Sequence, residues 1–181
     1  MKPRAVFQPA RCPAAITAIL AGLAGCVQAE QALPIMSTVT LPAPIAVPTM
    51  QGEVQTHAGS GPAEGLVTVR SEPLYQNLGW EPLVGTLLEA AEHERALVYQ
   101  ALGEPLPADI PAPAEVAVAG TTGLRWQVSG GTTTFVGTGF HCAGHRVELT
   151  SYGADATLVA AVHQASLDGA KCTDAASSPV E

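Results

Sequence analysis

The chain is poor in charged and aromatic residues. Of its 181 residues, 13% are charged and 4% are aromatic, and only 8 are Lys or Arg against 16 Asp and Glu. So few aromatic side chains predict a small core of Val, Leu and Ala, without a large aromatic-lined ligand cavity. The basic residues are few and unclustered, which excludes nucleic-acid binding, because phosphate backbones require a basic surface.

The apolar run near the start of the chain is too short to span a membrane. The run from Pro13 to Ala24 has about 12 residues, whereas a spanning helix needs roughly 20. It follows a positively charged start with Lys2, Arg4 and Arg11, and small residues follow it. This order is typical of a secretory signal, so we predict a cleaved signal peptide over residues 1–25.

The end of this signal resembles the lipobox of bacterial lipoproteins. Leu23-Ala24-Gly25-Cys26 supplies the apolar residue, the two small residues and the cysteine of that pattern. The resemblance implies cleavage before Cys26 and attachment of acyl chains such as palmitate, which hold a protein stably on a membrane. Cleavage after Ala29, at a general signal-peptidase site, is the alternative, and it would release a soluble exported protein.

The residue after Cys26 is Val27 rather than Asp. In bacterial lipoproteins an Asp at that position commonly marks retention in the inner membrane. The resemblance therefore implies an outer-membrane lipoprotein that faces the periplasm or the cell surface, where the source cell has two membranes. Loss of the signal would leave 5 Lys and Arg against 16 Asp and Glu, a net charge of −11 with His neutral.

Cysteine is scarce, and its count predicts one disulfide. Cys12 leaves with the signal and Cys26 carries the lipid, so only Cys142 and Cys172 remain. Two cysteines in an oxidising compartment most simply pair with each other. We therefore predict a disulfide between Cys142 and Cys172 that stabilises a small folded domain.

The segment "GFHCAGHR" is the densest candidate for a metal site. It contains His141, Cys142 and His145, and His163 follows later in the chain. Imidazole and thiolate groups bind Zn²⁺ or copper, but a thiolate ligand requires Cys142 to be reduced. We favour a disulfide beside two surface histidines. The alternative is a small periplasmic metal-binding or redox protein that uses His141, His145 and His163.

The sequence assembles no catalytic constellation, so we predict no catalytic residue and no cofactor. Its serines lack a glycine-elbow context, and no Gly-Lys-Ser/Thr phosphate loop is present. An acidic patch lies on a predicted helix: Glu89, Glu92, His93 and Glu94. We interpret this patch as a solvated face in which Glu92 pairs with Arg95.

Proline and glycine divide the remainder of the chain. Residues 26–65 are rich in both, which predicts a semi-rigid tether. The alternative is that Val39–Leu41 or Ile45–Val47 adds an edge strand to the domain. Folding is predicted to begin near Leu66, so that residues 66–181 form a small domain.

The predicted domain combines one long helix with antiparallel strands. Glu81 to Leu102 has the period of an amphipathic helix, with Pro82 in its first turn. Segments 66–70 and 145–153 alternate like strands, and a hairpin surrounds Ser129-Gly130-Gly131. The intervening "SEPLYQNLGW" is predicted to form turns.

Residues 156–167 are predicted to be a helix capped by Asp155, although a strand remains the alternative. The whole pattern predicts an α+β fold, with one long amphipathic helix packed on a small antiparallel sheet and one disulfide. The function that fits best is a lipid-anchored, non-enzymatic envelope protein with a binding or accessory role. Its expected partners are the membrane, through the anchor, and another envelope protein or polymer.

Overall fold

The computed structural model describes residues 36–41, 45–59 and 64–172. These ranges contain ten strands and two helices. The first half comprises β1 (Met36–Thr40), β2 (Ile45–Met50), β3 (Glu53–Ala58), β4 (Gly65–Ser71), β5 (Leu74–Pro82) and α1 (Leu87–Leu102). The second half comprises β6 (Ala114–Val118), β7 (Thr121–Gly130), β8 (Thr133–Cys142), β9 (His145–Gly153), α2 (Ala156–Gly169) and β10 (Lys171–Cys172).

Seven of the strands form one antiparallel sheet in the order β3-β4-β5-β9-β8-β7-β6. Two meanders meet in its middle, where β5 pairs with β9 from Leu74 opposite Gly153 to Pro82 opposite His145. β1, β2 and β10 form a second, three-stranded sheet. The described chain is therefore mostly β-structure with two short helices, and the predicted α+β fold with one long helix on a small sheet is wrong.

The segment predicted to form turns is one physical reason for this error. Its residues from Leu74 onward form β5, a central strand in which Leu74, Gln76, Leu78 and Trp80 are buried. The alternation typical of a strand is present there, but a polar residue, Gln76, occupies one of the buried positions and hides it.

The predicted start of the long helix is also wrong, because Glu81 and Pro82 end β5. The helix α1 begins at Leu87, after the N-cap Thr86. The Thr86 hydroxyl accepts a hydrogen bond from the backbone N–H of Glu89 at 3.2 Å, and the Glu89 carboxylate accepts one from the backbone N–H of Thr86 at 3.0 Å. This capping box satisfies two backbone donors and fixes the helix start.

The structure also differs from the predicted tether over residues 26–65. Strands β1, β2 and β3 lie within it, and Ile45, Val47 and Met50 of β2 are fully buried. β2 lies between β1 and β10 in the three-stranded sheet, so it is neither part of an extended tether nor an edge strand, and burial of its apolar side chains stabilises the fold. The signal residues 1–25 and Cys26 lie outside the described residues.

Each face of the seven-stranded sheet carries one helix. On the α2 face, Val159 and Val162 of α2 pack on a core that includes Val136 and Phe140 of β8, and the buried residues of β2 complete this core. On the α1 face, a smaller cluster joins Ala91 of α1 to Trp126 and Val128 of β7. Among the residues that the structure describes, neither helix has the length and apolarity needed to cross a membrane.

Two local predictions are confirmed by the structure. The helix α2 follows the N-cap Asp155, whose carboxylate accepts hydrogen bonds from the backbone N–H groups of Thr157 and Leu158 at 3.0 and 3.1 Å. The strands β7 and β8 form the predicted hairpin, with Gly131 at a φ of 56° in the turn. Glycine adopts this left-handed conformation at no steric cost.

Cys142 and Cys172, the two cysteines predicted to pair, form a disulfide that joins the end of β8 to β10. Replacing Cys172 by Ala is expected to lower the free energy of unfolding by roughly 3 kcal/mol. The cause is that the bond spans 30 residues and its loss frees that loop in the unfolded chain. Urea denaturation measures the loss. A reductant should produce the same loss in the wild type and none in the variant, and a further loss in the variant would contradict the prediction.

Candidate ligand-binding site

The residues of the predicted metal site do not converge. Cys142 is bound to Cys172 and has no thiolate to offer. His141 lies opposite Arg146, whereas His145 lies opposite Cys142, so the two histidines occupy opposite faces of the sheet. Within the described ranges, no three His, Cys, Asp or Glu side chains are grouped so that they could hold a metal ion.

His163, the third predicted ligand, is fully buried between α2 and the sheet. Its Nε2 lies 2.8 Å from the Thr138 hydroxyl, and its Nδ1 lies 3.0 Å from the Ser151 hydroxyl. Burial, together with the positive charge of Arg125, lowers the pKa of His163 to about 3. The imidazole is therefore neutral, with both nitrogens paired, and its role in this arrangement is to hold the core together.

The hydrogen bonds around His163 extend through the core as a network. Gln76 Nε2 donates to the hydroxyls of Ser151 and Ser166 at 3.1 and 2.9 Å. Gln76 Oε1 accepts a hydrogen bond from the backbone N–H of Met50 at 2.6 Å. The pair of Ser151 and His163 is thus sealed from solvent, and an external substrate cannot reach it.

A groove with a volume of about 490 Å³ lies beside α1, on the face of the seven-stranded sheet opposite to α2 and His163. The helix packs on β7 and β8 and leaves the side chains of β5 and β9 open along its flank. The lining residues are Leu66, Asn77, Gly79, Glu94, Val98, Trp126, Phe135, Glu148, Thr150 and Tyr152. Three of them are aromatic, although the composition predicted no large aromatic-lined ligand cavity.

Two stacked ring contacts give this groove a rigid apolar wall. The ring centroids of Tyr75 and Tyr152 are 5.1 Å apart, and those of Tyr152 and Phe135 are 5.0 Å apart. These residues lie directly opposite each other on β5, β9 and β8. Cross-strand aromatic pairs of this kind stabilise a sheet and restrict the rotation of the rings.

A smaller cavity of about 140 Å³ adjoins the groove. The two share Gly79, Glu94 and Glu148, so both are lined by the same two carboxyl groups. Glu81 and Arg146 line the smaller cavity and form an ion pair with each other. Glu94 and Glu148 form no ion pair with any residue of the described ranges. We call this part of the site the acidic end and the larger groove the apolar end.

Glu148 lies between two glycines on the neighbouring strands. Gly79 of β5 and Gly139 of β8 are its register partners. A Cβ added at Gly79 would lie 3.9 Å from the nearest neighbouring atom, the Gly65 carbonyl oxygen, so a methyl group would enter the groove without a clash. A Cβ added at Gly139 would instead contact Leu87 at 3.8 Å, outside the groove.

The pKa of Glu148 is raised to about 8, mainly by burial. The charges of Glu94 and Glu81 contribute to this rise, while Arg146 and the indole N–H of Trp126 oppose it. A carboxyl group surrounded by apolar atoms and another carboxylate favours its neutral form. Glu148 is therefore mostly protonated at neutral pH, which is unusual for a glutamate.

Three buried polar atoms of the groove make no hydrogen bond of good geometry within the described residues, although the Trp126 N–H lies near enough to the Glu148 carboxyl to lower its pKa. They are Glu148 Oε1, Asn77 Oδ1 and Trp126 Nε1. A buried polar atom without a partner costs about 1–3 kcal/mol, and most such atoms in proteins are paired. The cluster therefore offers two oxygen acceptors and one N–H donor to a molecule that enters the groove.

The helix patch that the sequence predicted to be solvated contributes one residue to this site. Glu94 lines the groove, whereas Glu89 caps the helix and Glu92 is exposed. Arg95 does not pair with Glu92, because it is buried and donates to the Pro111 carbonyl oxygen at 2.6 Å. The interpretation of this patch as one solvated face is wrong for Glu94 and Arg95.

Glu148 was not among the predicted site residues, because it occupies an ordinary polar position of the alternating strand β9. Its place in the groove depends on Gly79, which only the strand register brings beside it. No protein-family model matches the chain, and no curated protein matches it either. The groove beside α1 is therefore the feature from which a function can be inferred.

Proposed function

We propose that the protein is a lipid-anchored envelope protein that binds a ligand in the groove beside α1. The observation that carries this proposal is the set of three unpaired polar atoms of Glu148, Asn77 and Trp126 in a groove that also has apolar and aromatic walls. Ligand sites are typically concave, mostly apolar and furnished with a few converging polar groups. A volume of about 490 Å³ suits a small molecule or an exposed group of an envelope protein or polymer.

Binding rather than catalysis is the role that the lining supports. The groove and its acidic end are lined by no Ser, Cys, His or Lys side chain that could act as a nucleophile. The pair of Ser151 and His163 lies on the opposite face of the sheet and is sealed from solvent. Uptake of a molecule without chemical change is therefore the role that we propose for the groove.

The anchor is proposed from the lipobox-type signal that ends at Cys26. Replacing Cys26 by Ser is expected to move the protein from the membrane fraction to the soluble fraction or to leave it unprocessed, since only a thiol carries the lipid. Cys12→Ser is the matched control, because Cys12 leaves with the signal, and it should not change the location. A wild-type N-terminus at Glu30, measured by mass spectrometry, would overturn the anchor.

The binding role is tested by melting the protein in the presence of small organic cations, anions and neutral molecules. At least one class is expected to raise the melting temperature, because a ligand at 100 times its Kd adds about 2.7 kcal/mol to the free energy of unfolding. Gly79→Val should abolish this effect, since its side chain would occupy the groove. Gly139→Ala should keep it, because that methyl group lies outside the groove.

The melting temperatures without ligand show whether these variants are folded. Replacement of a strand glycine whose φ is negative is expected to leave the fold intact or to stabilise it slightly. If no class of molecule stabilises the wild type, or if Gly79→Val responds as strongly as the wild type, the groove is not a ligand site.

A further inference from the structure

We infer that the ligand is an organic cation in which a primary ammonium group is attached to an apolar body. This inference rests on the proposed function and adds the chemistry of the ligand. It is carried by the arrangement of the site, in which an acidic end opens into an apolar groove through the shared residues Gly79, Glu94 and Glu148. A molecule with one cationic end and one apolar end complements both parts.

The charges of the acidic end favour a cation. Three carboxyl groups and one guanidinium line it, and the guanidinium of Arg146 is already paired with Glu81. Glu94 and Glu148 have no cationic partner of their own within the described residues. An anionic ligand would lie beside these carboxyl groups and be repelled, whereas a cation would pair with them.

The unpaired atoms favour a ligand that donates hydrogen bonds. Glu148 Oε1 and Asn77 Oδ1 are both acceptors, and an ammonium group has three N–H donors. Asn77 and Glu148 project from β5 and β9 into the same groove, two positions apart in the register, with Gly79 opposite Glu148. Because Gly79 has no side chain, a head group can lie between them.

The indole N–H of Trp126 favours the ionised form of Glu148, which is the form that would bind a cation. Trp126 is 3% exposed, it lines the groove, and its Nε1 has no partner in the described part of the chain. Its N–H lies close enough to Glu148 to lower the pKa of that carboxyl group. A donor in this position favours the ionised carboxylate, which is also the form that pairs with an ammonium group.

Binding should therefore be coupled to the release of a proton from Glu148. Without ligand, the pKa of Glu148 is about 8, set by burial and by Glu94 of α1, Glu81 of β5 and Arg146 of β9. An ammonium group binds only after this carboxyl group ionises. Its affinity should rise about tenfold for each pH unit up to about pH 8 and then level off, if the probe keeps its charge, as amines with a pKa near 10 do.

The experiment uses four probes that share one apolar body: 2-phenylethylammonium, its trimethylammonium analogue, 2-phenylethanol and phenylacetate. Binding is followed by the NMR signal of the Trp126 indole N–H, assigned with Trp126→Phe. The primary ammonium is expected to bind about tenfold more tightly than the alcohol and the trimethyl analogue, which lack its charge or its N–H donors. The anion should be the weakest ligand.

Glu148→Gln separates the inferred chemistry from a merely structural role. The variant should bind the ammonium at least about fiftyfold more weakly than the wild type at pH 8, no more tightly than the wild type does at pH 6, and its affinity should not change between pH 6 and pH 8. Asn77→Leu should weaken binding without altering the pH dependence. Gly79→Val should abolish the signal change, and Gly139→Ala should preserve it.

The inference fails if the alcohol or the anion binds at least as tightly as the ammonium, or if no probe binds in a saturable way. It also fails if the pH dependence survives in Glu148→Gln. Tight binding of the alcohol or anion that Gly79→Val abolishes would leave the proposed binding role intact and overturn only the cationic ligand.

Discussion

A chain that begins at residue 66 is expected to lose its cooperative unfolding transition. The residues removed include β1, β2 and β3, and β2 pairs on one side with β10 at Ala46 and Ile45. It also packs against α2, on which the largest core cluster depends. Without β2, the strand β10 has no partner, and the disulfide at Cys172 no longer holds a paired strand.

The truncation should remove more free energy of unfolding than a small domain has. Four apolar residues of the removed segment are buried in the core: Leu41, Ile45, Val47 and Met50. At about 1.5–3 kcal/mol for each fully buried side chain, they contribute roughly 6–12 kcal/mol, which is comparable to the whole stability of a small domain. Gln76 Oε1 would also lose the hydrogen bond from Met50, and a buried acceptor would remain unpaired.

Thermal and urea unfolding measure this effect, with a chain that begins at Ala32 as the control, because it retains every described strand. Two valines provide a matched pair of point variants. Val47→Ala should lower the free energy of unfolding by about 2 kcal/mol, since Val47 is fully buried. Val54→Ala should change it by less than about 0.5 kcal/mol, since Val54 is 51% exposed. A cooperative transition in the chain that begins at residue 66 would contradict the prediction.

The first strands illustrate what a proline-rich sequence conceals. Pro48 lies within β2 opposite Thr38 of β1, yet it disrupts nothing, because β10 pairs only with Ala46 and Ile45 on the other side. A proline lacks the N–H that a residue paired on both sides must donate. Pro48 lies beyond the end of the two-residue strand β10, so no N–H is required on that side. Composition predicted an extended tether here, and only the tertiary contacts distinguish this from a strand.

The elements predicted correctly are those that are determined by residues close together in the sequence. The hairpin of β7 and β8 and the capped helix α2 follow from turn and N-cap residues, and both were predicted correctly. The pairing of β5 with β9 joins residues more than 60 positions apart along the chain, and no local pattern specifies it. The groove depends on that pairing, because it places Gly79 beside Glu148. The candidate site therefore could not be predicted from the sequence.

The stability of the protein is expected to be nearly constant between pH 4.5 and pH 6.5 and to fall on both sides. Two buried groups with opposite titrations cause this. His163 has a pKa of about 3 in the folded protein against an ordinary 6.5, so the unfolded chain binds the extra proton between these values, and stability falls as the pH drops through them. Glu148 has a pKa of about 8 against an ordinary 4.5, so the folded protein binds the extra proton, and stability falls as the pH rises from 4.5 to 8.

Each titration changes the free energy of unfolding by up to about 1.4 kcal/mol per pH unit. Between pH 4.5 and pH 6.5 the two slopes have opposite signs and cancel. Above pH 6.5 only Glu148 still titrates, and below pH 4.5 only His163 does, so each limb costs roughly 2 kcal/mol by pH 8 and by pH 3. The cancellation is the distinctive part of the prediction, because either group alone would produce a continuous slope of one sign.

Variants that cannot titrate separate the two limbs. Glu148→Gln should remove the alkaline limb, so that stability rises from pH 3 to pH 6.5 and is level above it. His163→Gln should remove the acid limb, so that stability falls from pH 4.5 to pH 8 without a plateau. Urea denaturation at a series of pH values provides the curves, and subtracting the variant from the wild type cancels exposed groups with lowered pKa, such as Glu72 and Glu89. If Glu148→Gln keeps the alkaline limb, Glu148 ionises normally in the folded protein, and the proton-linked binding inferred for the groove loses its physical basis.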